Sequence, residues 1–217
     1  GDIMDKIEVD SVSASLIGHA SVMIVSGEKT IYIDPYKVPE DSPKADIILV
    51  THEHYDHCDQ DMIRQLSDND TKIISAKGCA SKIEGDVTET VAGNSMTIDN
   101  VSIKAVEAYN IEKPYHPKGL GVGYIIKIDN VKIYHAGDTD RIPEMKSLED
   151  ENIDIAFLPA GGTYTMDIEE ASDATANIMP KVVVPMHYGV VAGTEADTEK
   201  FRALVSEKAP GVDVRIM

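Results

Sequence analysis

Three of the chain's seven histidines fall within one short stretch, "THEHYDHCD", Thr51 to Asp59. Imidazoles and carboxylates are the side chains that hold divalent cations such as Zn, Mn and Fe. His52 and His54 are two positions apart, and in extended backbone positions i and i+2 point the same way, so both rings can meet one ion. Asp56 and His57 follow where the chain turns and can face a second ion nearby. The pattern H-x-H-x-D-H directly after an apolar run is improbable by chance where histidine is this rare. Farther on, Asp138 in "YHAGDT" and His187 in "VVVPMHYG" are the same residue types at the ends of apolar stretches. Each has a plainer reading when taken alone: a hydrogen-bonded histidine for His187, a turn or cap aspartate for Asp138. Glu53, between two candidate ligands, points away from them. Cys58 reads as a small packed thiol, neither nucleophile nor ligand.

These residues need strands that end together. "KIEVDSVSASLIGHASVMIV" and "KTIYIDP" alternate and are rich in β-branched residues, and "ADIILVT" is a buried-strand run leading straight into the cluster. "QDMIRQLSD" predicts a short helix with Met62, Ile63 and Leu66 inward. After "KIISA", the segment Val87 to Val106 predicts further strands with turns at "AGN" and "DN". A hairpin around "IDNV" follows, then a buried strand in "IDIAFLPAGG". In "TMDIEEASDATANIM", Asp167 caps a helix with Glu170 completing a capping box, and Met166 and Ala171 take the staple positions. "KVVVPMHYG" predicts one more buried strand, and "TEADTEKFRALVSEKAPG" an amphipathic helix stopped by Pro210 and Gly211. No internal repeat is visible. The expectation is a layered α/β fold of two sheets with outer helices, in a single domain over residues 1–217.

Bulk composition narrows the partners. The chain has 217 residues, 42% hydrophobic and 27% charged, an ordinary globular balance. Its net charge of −18, from 38 acidic against 20 basic residues, repels phosphate backbones and anionic headgroups. Neither nucleic acid nor membrane is expected as a partner, and substrates should be small molecules. The opening "GDIMDKIEVDSVS" lacks the basic start and apolar stretch of a signal peptide. Two cysteines, Cys58 and Cys79, are too few for a disulfide scaffold, so a reducing, cytoplasmic setting is expected.

"THEHYDH", "YHAGDT" and "VVVPMHYG", in that order, resemble the metallo-β-lactamase-fold hydrolases. "LIGHASVMI", "YIDP" and "LPAGGTYTMDIEEA" are similar to the branch containing L-ascorbate-6-phosphate lactonases and N-acyl-phosphatidylethanolamine phospholipase D enzymes. The likeness runs from Leu16 to Tyr188, and its motifs are specific for fold and metal site but weak for substrate. It implies a four-layer αββα sandwich with two divalent ions, Zn favoured over Mn or Fe, where the sheets meet. On the family pattern His52 and His54 hold one ion, Asp56, His57 and His187 the other, and Asp138 lies between them. The family usually adds a further histidine to the His52 site; by register that position is Asn110, and His116 follows in the same loop. Either His116 reaches the ion, or Asn110 or water takes the place, or the site is incomplete. His19 and His135 also match the pattern, as supports for the ligands or as buried structural histidines. "YNIEKPYHPKGLGVGY" and "GGTYTM", with Tyr164, are expected to line the pocket, and Tyr188 to stand in the pocket or behind the ligands.

The chemistry implied is hydrolysis of a small ester, lactone or phosphodiester by a metal-activated hydroxide, with Asp56 or Asp138 orienting the nucleophile or moving its proton. No "GxSxG" offers a serine alternative. Diiron redox proteins of this fold use a glutamate where this chain has His54. Nucleases of the fold carry binding domains or arms that are absent here. A non-catalytic metal-binding protein is the alternative that the Asn110 question leaves standing. Lys113 and Lys118 hint at an anionic substrate.

Overall fold

The computed structural model describes residues 5–217; residues 1–4, the start of the opening segment, lie outside them. The first sheet runs in sequence order through β1 (Ile7–Val9), β2 (Val12–Gly18), β3 (Ser21–Ser26), β4 (Lys29–Ile33), β5 (Ile47–Val50), β6 (Lys72–Ala76) and β7 (Asp86–Thr90). Strands β1 to β4 form an antiparallel meander, and β4 to β7 are parallel. The second sheet comprises β8 (Ser95–Ile98), β9 (Val101–Glu107), β10 (Val122–Ile128), β11 (Val131–His135), β12 (Ile155–Pro159), β13 (Val182–Met186) and β14 (Asp213–Val214). It too is antiparallel for its first four strands and parallel for the rest. The plan of the first half therefore recurs in the second, although the residues show no repeat.

The four layers follow from strand alternation. In β4, Ile31 and Ile33 enter the core between the sheets while Tyr32 faces outward; in β5, Ile47 and Leu49 go inward, Ile48 and Val50 outward. Each such fully buried side chain contributes about 1.5–3 kcal/mol. The outer face of the first sheet is covered by α1 (Gln60–Leu66), through Ile63 and Leu66. The outer face of the second is covered by α2 (Ile168–Ile178) and α3 (Thr198–Lys208), through residues such as Ala171, Ile178, Phe201 and Val205. The expected αββα sandwich is the fold observed. Asp59 and Asp167 cap α1 and α2 with their side chains, the second accepting from the Glu170 N–H at 2.9 Å. A 3₁₀ segment over Pro143–Glu151, which the sequence reading lacks, packs Met145 and Leu148 on the second sheet.

One expectation is corrected. Cys58 and Cys79 are not free thiols but a disulfide, with Cα atoms 6.2 Å apart and both residues buried beneath α1. Cys58 leaves the histidine turn and Cys79 follows β6, neighbouring strands that bring the two together, so the bond closes a loop across adjacent strand ends. Cysteine usage therefore no longer supports a reducing compartment. Among the described residues no helix is long and apolar enough to cross a membrane.

Candidate metal centre

The chemistry-bearing residues collect where parallel strands run out. Asp34 follows β4, the turn from Thr51 to Asp59 follows β5, Asp138 follows β11, and His187 follows β13. Two of these residues sit in left-handed backbone, Asp34 at φ 48° and His187 at φ 57°, as does His19 at φ 55°. Such conformations cost about 1–3 kcal/mol each and persist where the surroundings over-determine them. A bond from the His187 N–H to the His19 carbonyl, 2.8 Å, helps to lock two of them.

Asp138 is the hub. Its Oδ2 lies 3.4 Å from His52 Nε2, 3.2 Å from His57 Nε2, 3.1 Å from His116 Nε2 and 3.2 Å from His187 Nε2. Two four-residue sets of donor atoms stand close enough to share an ion, His52, His54, His116 and Asp138, and His19, Asp56, His57 and His187; a third group joins Asp34 with His52 and His57. The Nε2 atoms of His52, His57, His116 and His187 are buried and make no aligned hydrogen bond, and neither does Asp138 Oδ1. Buried polar atoms are ordinarily satisfied, so this convergence of unpaired donors fits a cation at the centre.

The rings are held from behind. His57 Nδ1 donates to Asp34 Oδ2 at 2.7 Å. His52 Nδ1 donates to Thr51 Oγ1 at 2.9 Å, and that hydroxyl donates onward to Asp34 Oδ2 at 2.6 Å. His116 Nδ1 donates to Asn110 Oδ1 at 2.9 Å. Each contact places the ring proton on Nδ1 and leaves Nε2 free toward the centre, the arrangement a metal ligand requires. Asp34, in "YIDP", has no role assigned from sequence alone; its signal is an acid directly after a buried strand.

The structure brings His116, and not Asn110, together with His52 and His54. Asn110 lies behind it: besides His116 Nδ1 it accepts from the His116 N–H at 2.9 Å, and its amide donates to Asp140 Oδ1 and the Tyr164 carbonyl, both at 3.0 Å. His19 donates to Asp56 Oδ2 at 2.7 Å, so it orients that carboxylate besides standing within reach of the same ion. His135 stays outside both sets. Its Nε2 donates to the Ala20 carbonyl at 2.8 Å and its Nδ1 accepts from the Gly137 N–H at 3.1 Å, pinning the turn that presents Asp138. Glu53 points away, toward Lys82 at 3.4 Å. Tyr164 lines the cavity above the centre; Tyr188 does not.

The two lysines behind the anionic-substrate hint are occupied. Lys113 donates to Asp140 Oδ1 and the Thr165 carbonyl, both at 2.8 Å, and Lys118 lies over the Tyr109 ring, 4.9 Å from its centroid. Neither lines the cavity above the centre.

The electrostatics expect positive charge. Burial, reinforced by His57, pushes His52 down to about 4. Burial also works against charging His187, yet the Asp138 carboxylate prevails and raises it to about 9. His57 is raised in the same way, against burial, by Asp138 and Asp34. Burial opposes ionising Asp138 as well, but the surrounding histidines hold it well below the usual carboxylate range.

A two-sheet sandwich with this strand-end cluster defines the metallo-β-lactamase fold, and a Beta-lactamase superfamily domain matches residues 14–187. Within that superfamily the chain belongs to the UPF0173 metal-dependent hydrolase family. It is 37% identical to the UPF0173 metal-dependent hydrolase of Pyrococcus horikoshii, covering 94% of this chain and 100% of the relative. With that of Thermococcus kodakarensis it shares 38% over 91% and 94% of the two chains. The crystal structure of a candidate metal-dependent hydrolase from Parabacteroides distasonis is 36% identical and superposes with a TM-score of 0.86, over 99% of this chain and 97% of that one.

Proposed function

We propose that this chain is a metal-dependent hydrolase with a dinuclear centre, acting on a small ester, lactone or phosphodiester. His52, His54 and His116 would hold one ion and Asp56, His57 and His187 the other, with Asp138 available to both. The observation that carries the reading is the set of four buried, unpaired Nε2 atoms around one carboxylate. A nitrogen-rich donor set with carboxylates suits Zn best, with Mn or Fe as alternatives.

Bound divalent ions would supply a water ionised near neutral pH and a Lewis acid for the oxygen that gains charge. The chain's own part is orientation and proton handling. Asp34, Thr51 and Asn110 fix the rings of His57, His52 and His116. Asp56, held by His19, stands 3.6 Å from His187 Nε2, where its carboxylate can orient the attacking water or accept its proton. Tyr115 and Tyr164 shield the centre on the solvent side. The motif likeness to the lactonases and phospholipase D enzymes supports an ester-type or phosphodiester bond without choosing between them. His116 beside His52 and His54 supports a complete first metal site, and turnover separates a hydrolase from a non-catalytic metal-binding protein.

The test is elemental analysis of the purified protein, followed by hydrolysis assays on phosphodiesters, lactones and esters with metal restored. About two ions per chain and chelator-sensitive turnover, lost in His54→Ala and Asp138→Ala, are expected. Full turnover by metal-free protein would refute the reading.

A further inference from the structure

Above the candidate ligands lies a cavity of about 250 Å³ whose floor is the metal site and whose walls are Tyr55, Tyr115, Tyr164 and Val191. No lysine or arginine lines it. Tyr115 and Tyr164 meet edge to face, with ring centroids 4.7 Å apart, and Tyr55 stands 70% exposed at the rim. Exposed apolar side chains concentrate here. Tyr55, Ile111, Tyr115, Leu120 and Val190 all sit on loops that carry or adjoin site residues, and among the described residues only Val91 and Met179 of that kind lie elsewhere. Of these, Tyr55 and Tyr115 line the cavity and Leu120 the adjoining cleft, and exposed apolar side chains at a pocket mouth mark a ligand site.

We infer that the substrate is uncharged where it meets these walls and carries a ring or compact branched apolar group beside the bond that is cleaved. The inference rests on the hydrolase reading above and names its substrate class. Size and charge both argue for it. A cavity of about 150 Å³ holds a benzene, so this one holds a ring together with the ester group on the metal floor. An anionic tail would need a cation in the walls, and Lys113 and Lys118 are engaged elsewhere. Lys77 borders an adjoining cleft of about 40 Å³, room for roughly three waters, and Lys37 lies over the Tyr36 ring. The tyrosines offer ring faces that reward an apolar ring, while their neutral hydroxyls give an anion hydrogen bonds but no countercharge. Hydrolysis at this site breaks the acyl–oxygen bond of the neutral ester; water supplies OH to the acyl carbon and a proton to the departing alcohol.

The test uses Zn- or Mn-loaded protein and three esters of one leaving group: acetyl, phenylacetyl and succinyl, each corrected for its rate with hydroxide. The expected order places phenylacetyl roughly 10–100-fold above acetyl in kcat/KM, the discrimination an apolar pocket gives, with succinyl lowest. Tyr115→Ala and Tyr164→Ala should draw the phenylacetyl-to-acetyl ratio toward one, Tyr164→Phe should keep it, and Val91→Ser, remote from the site, should leave it unaltered. A flat series, or a succinyl preference abolished by Lys77→Ala, overturns the inference.

Ligand-observed NMR with phenylacetamide against glutarate separates this inference from the hydrolase reading. If no ester, lactone or phosphodiester is cleaved but phenylacetamide binds and Tyr164→Ala removes it, the pocket assignment stands and the hydrolase reading falls. Equal or absent binding of both probes overturns the pocket assignment. Sedimentation supplies the last arm: a dimer that Tyr55→Ser dissociates would give the rim to a second copy and overturn the substrate assignment.

Discussion

Asp34 accepts from the Thr51 N–H at 2.7 Å, from the Thr51 hydroxyl at 2.6 Å and from His57 Nδ1 at 2.7 Å, all while fully buried. It therefore orients His57 directly and His52 through Thr51, one ligand of each proposed ion. Asn110 orients His116 alone. Asp34→Asn should weaken both ions by about 10–100-fold, and Asn110→Ala only the ion shared by His52 and His54. Competition titration against a chromophoric chelator resolves the two steps; an equal effect of both variants on both ions would contradict this division. Protons give a second residue-scale prediction. With its pKa raised from 6.5 to about 9, His187 is protonated at pH 7 in the metal-free chain and must lose that proton to ligate. Metal uptake should then release protons and tighten as pH rises toward 9, seen in calorimetry as a dependence on buffer ionisation enthalpy. The sign of the stability term is opposite: His187 stabilises the metal-free fold fully below pH 6.5, and that contribution is lost as pH rises through about 9. Legibility at this scale followed locality. The cluster announced itself because its members are sequence neighbours, whereas Asp34 reads as a turn residue before a proline until its partner, 23 positions on, is seen. Counting residues put Asn110 at the ligand position because register cannot show a loop that doubles back and returns His116 instead.

Among the elements, the turn after β11 combines a backbone requirement with a close approach. Gly137 has φ +66°, and a Cβ there would lie 2.7 Å from the Val122 carbonyl oxygen and 3.3 Å from Thr51 Cβ. Gly137→Ala should destabilise by about 1–2 kcal/mol from backbone conformation alone, with the contact adding to it, and should displace Asp138 from the hub. Chemical denaturation and metal stoichiometry measure the two effects separately. The strands themselves were readable because their outward and inward residues alternate, as in β4 and β5. The 3₁₀ segment over Pro143–Glu151 was not: Met145 and Leu148, three apart, are too few apolar positions to declare a period. The disulfide was equally hidden, since two cysteines 21 residues apart carry no pairing signal until β5 and β6 are known to be neighbours.

At the scale of the whole molecule, the recurring plan of four antiparallel and then parallel strands has a consequence for the centre. His52, His54, Asp56 and His57 come from the first sheet's half of the chain, and His116, Asp138 and His187 from the second. Each proposed ion takes two side chains from the first half and one from the second, with Asp138 added between them. Metal binding should accordingly stabilise the packing of sheet on sheet, by about 4 kcal/mol at a thousandfold excess over Kd, visible as a rise in the unfolding midpoint that chelator reverses. An unchanged midpoint would mean that the folded chain binds metal no better than the unfolded one.

The link between β7 and β8, Val91 to Asn94, is a short surface turn that is the chain's passage from one sheet to the other. Severed there, the chain becomes two polypeptides that each own a fraction of either ion's coordination. The ion would then act as solder, its affinity depending on how much of both fragments is present, and their joining would report the metal in solution.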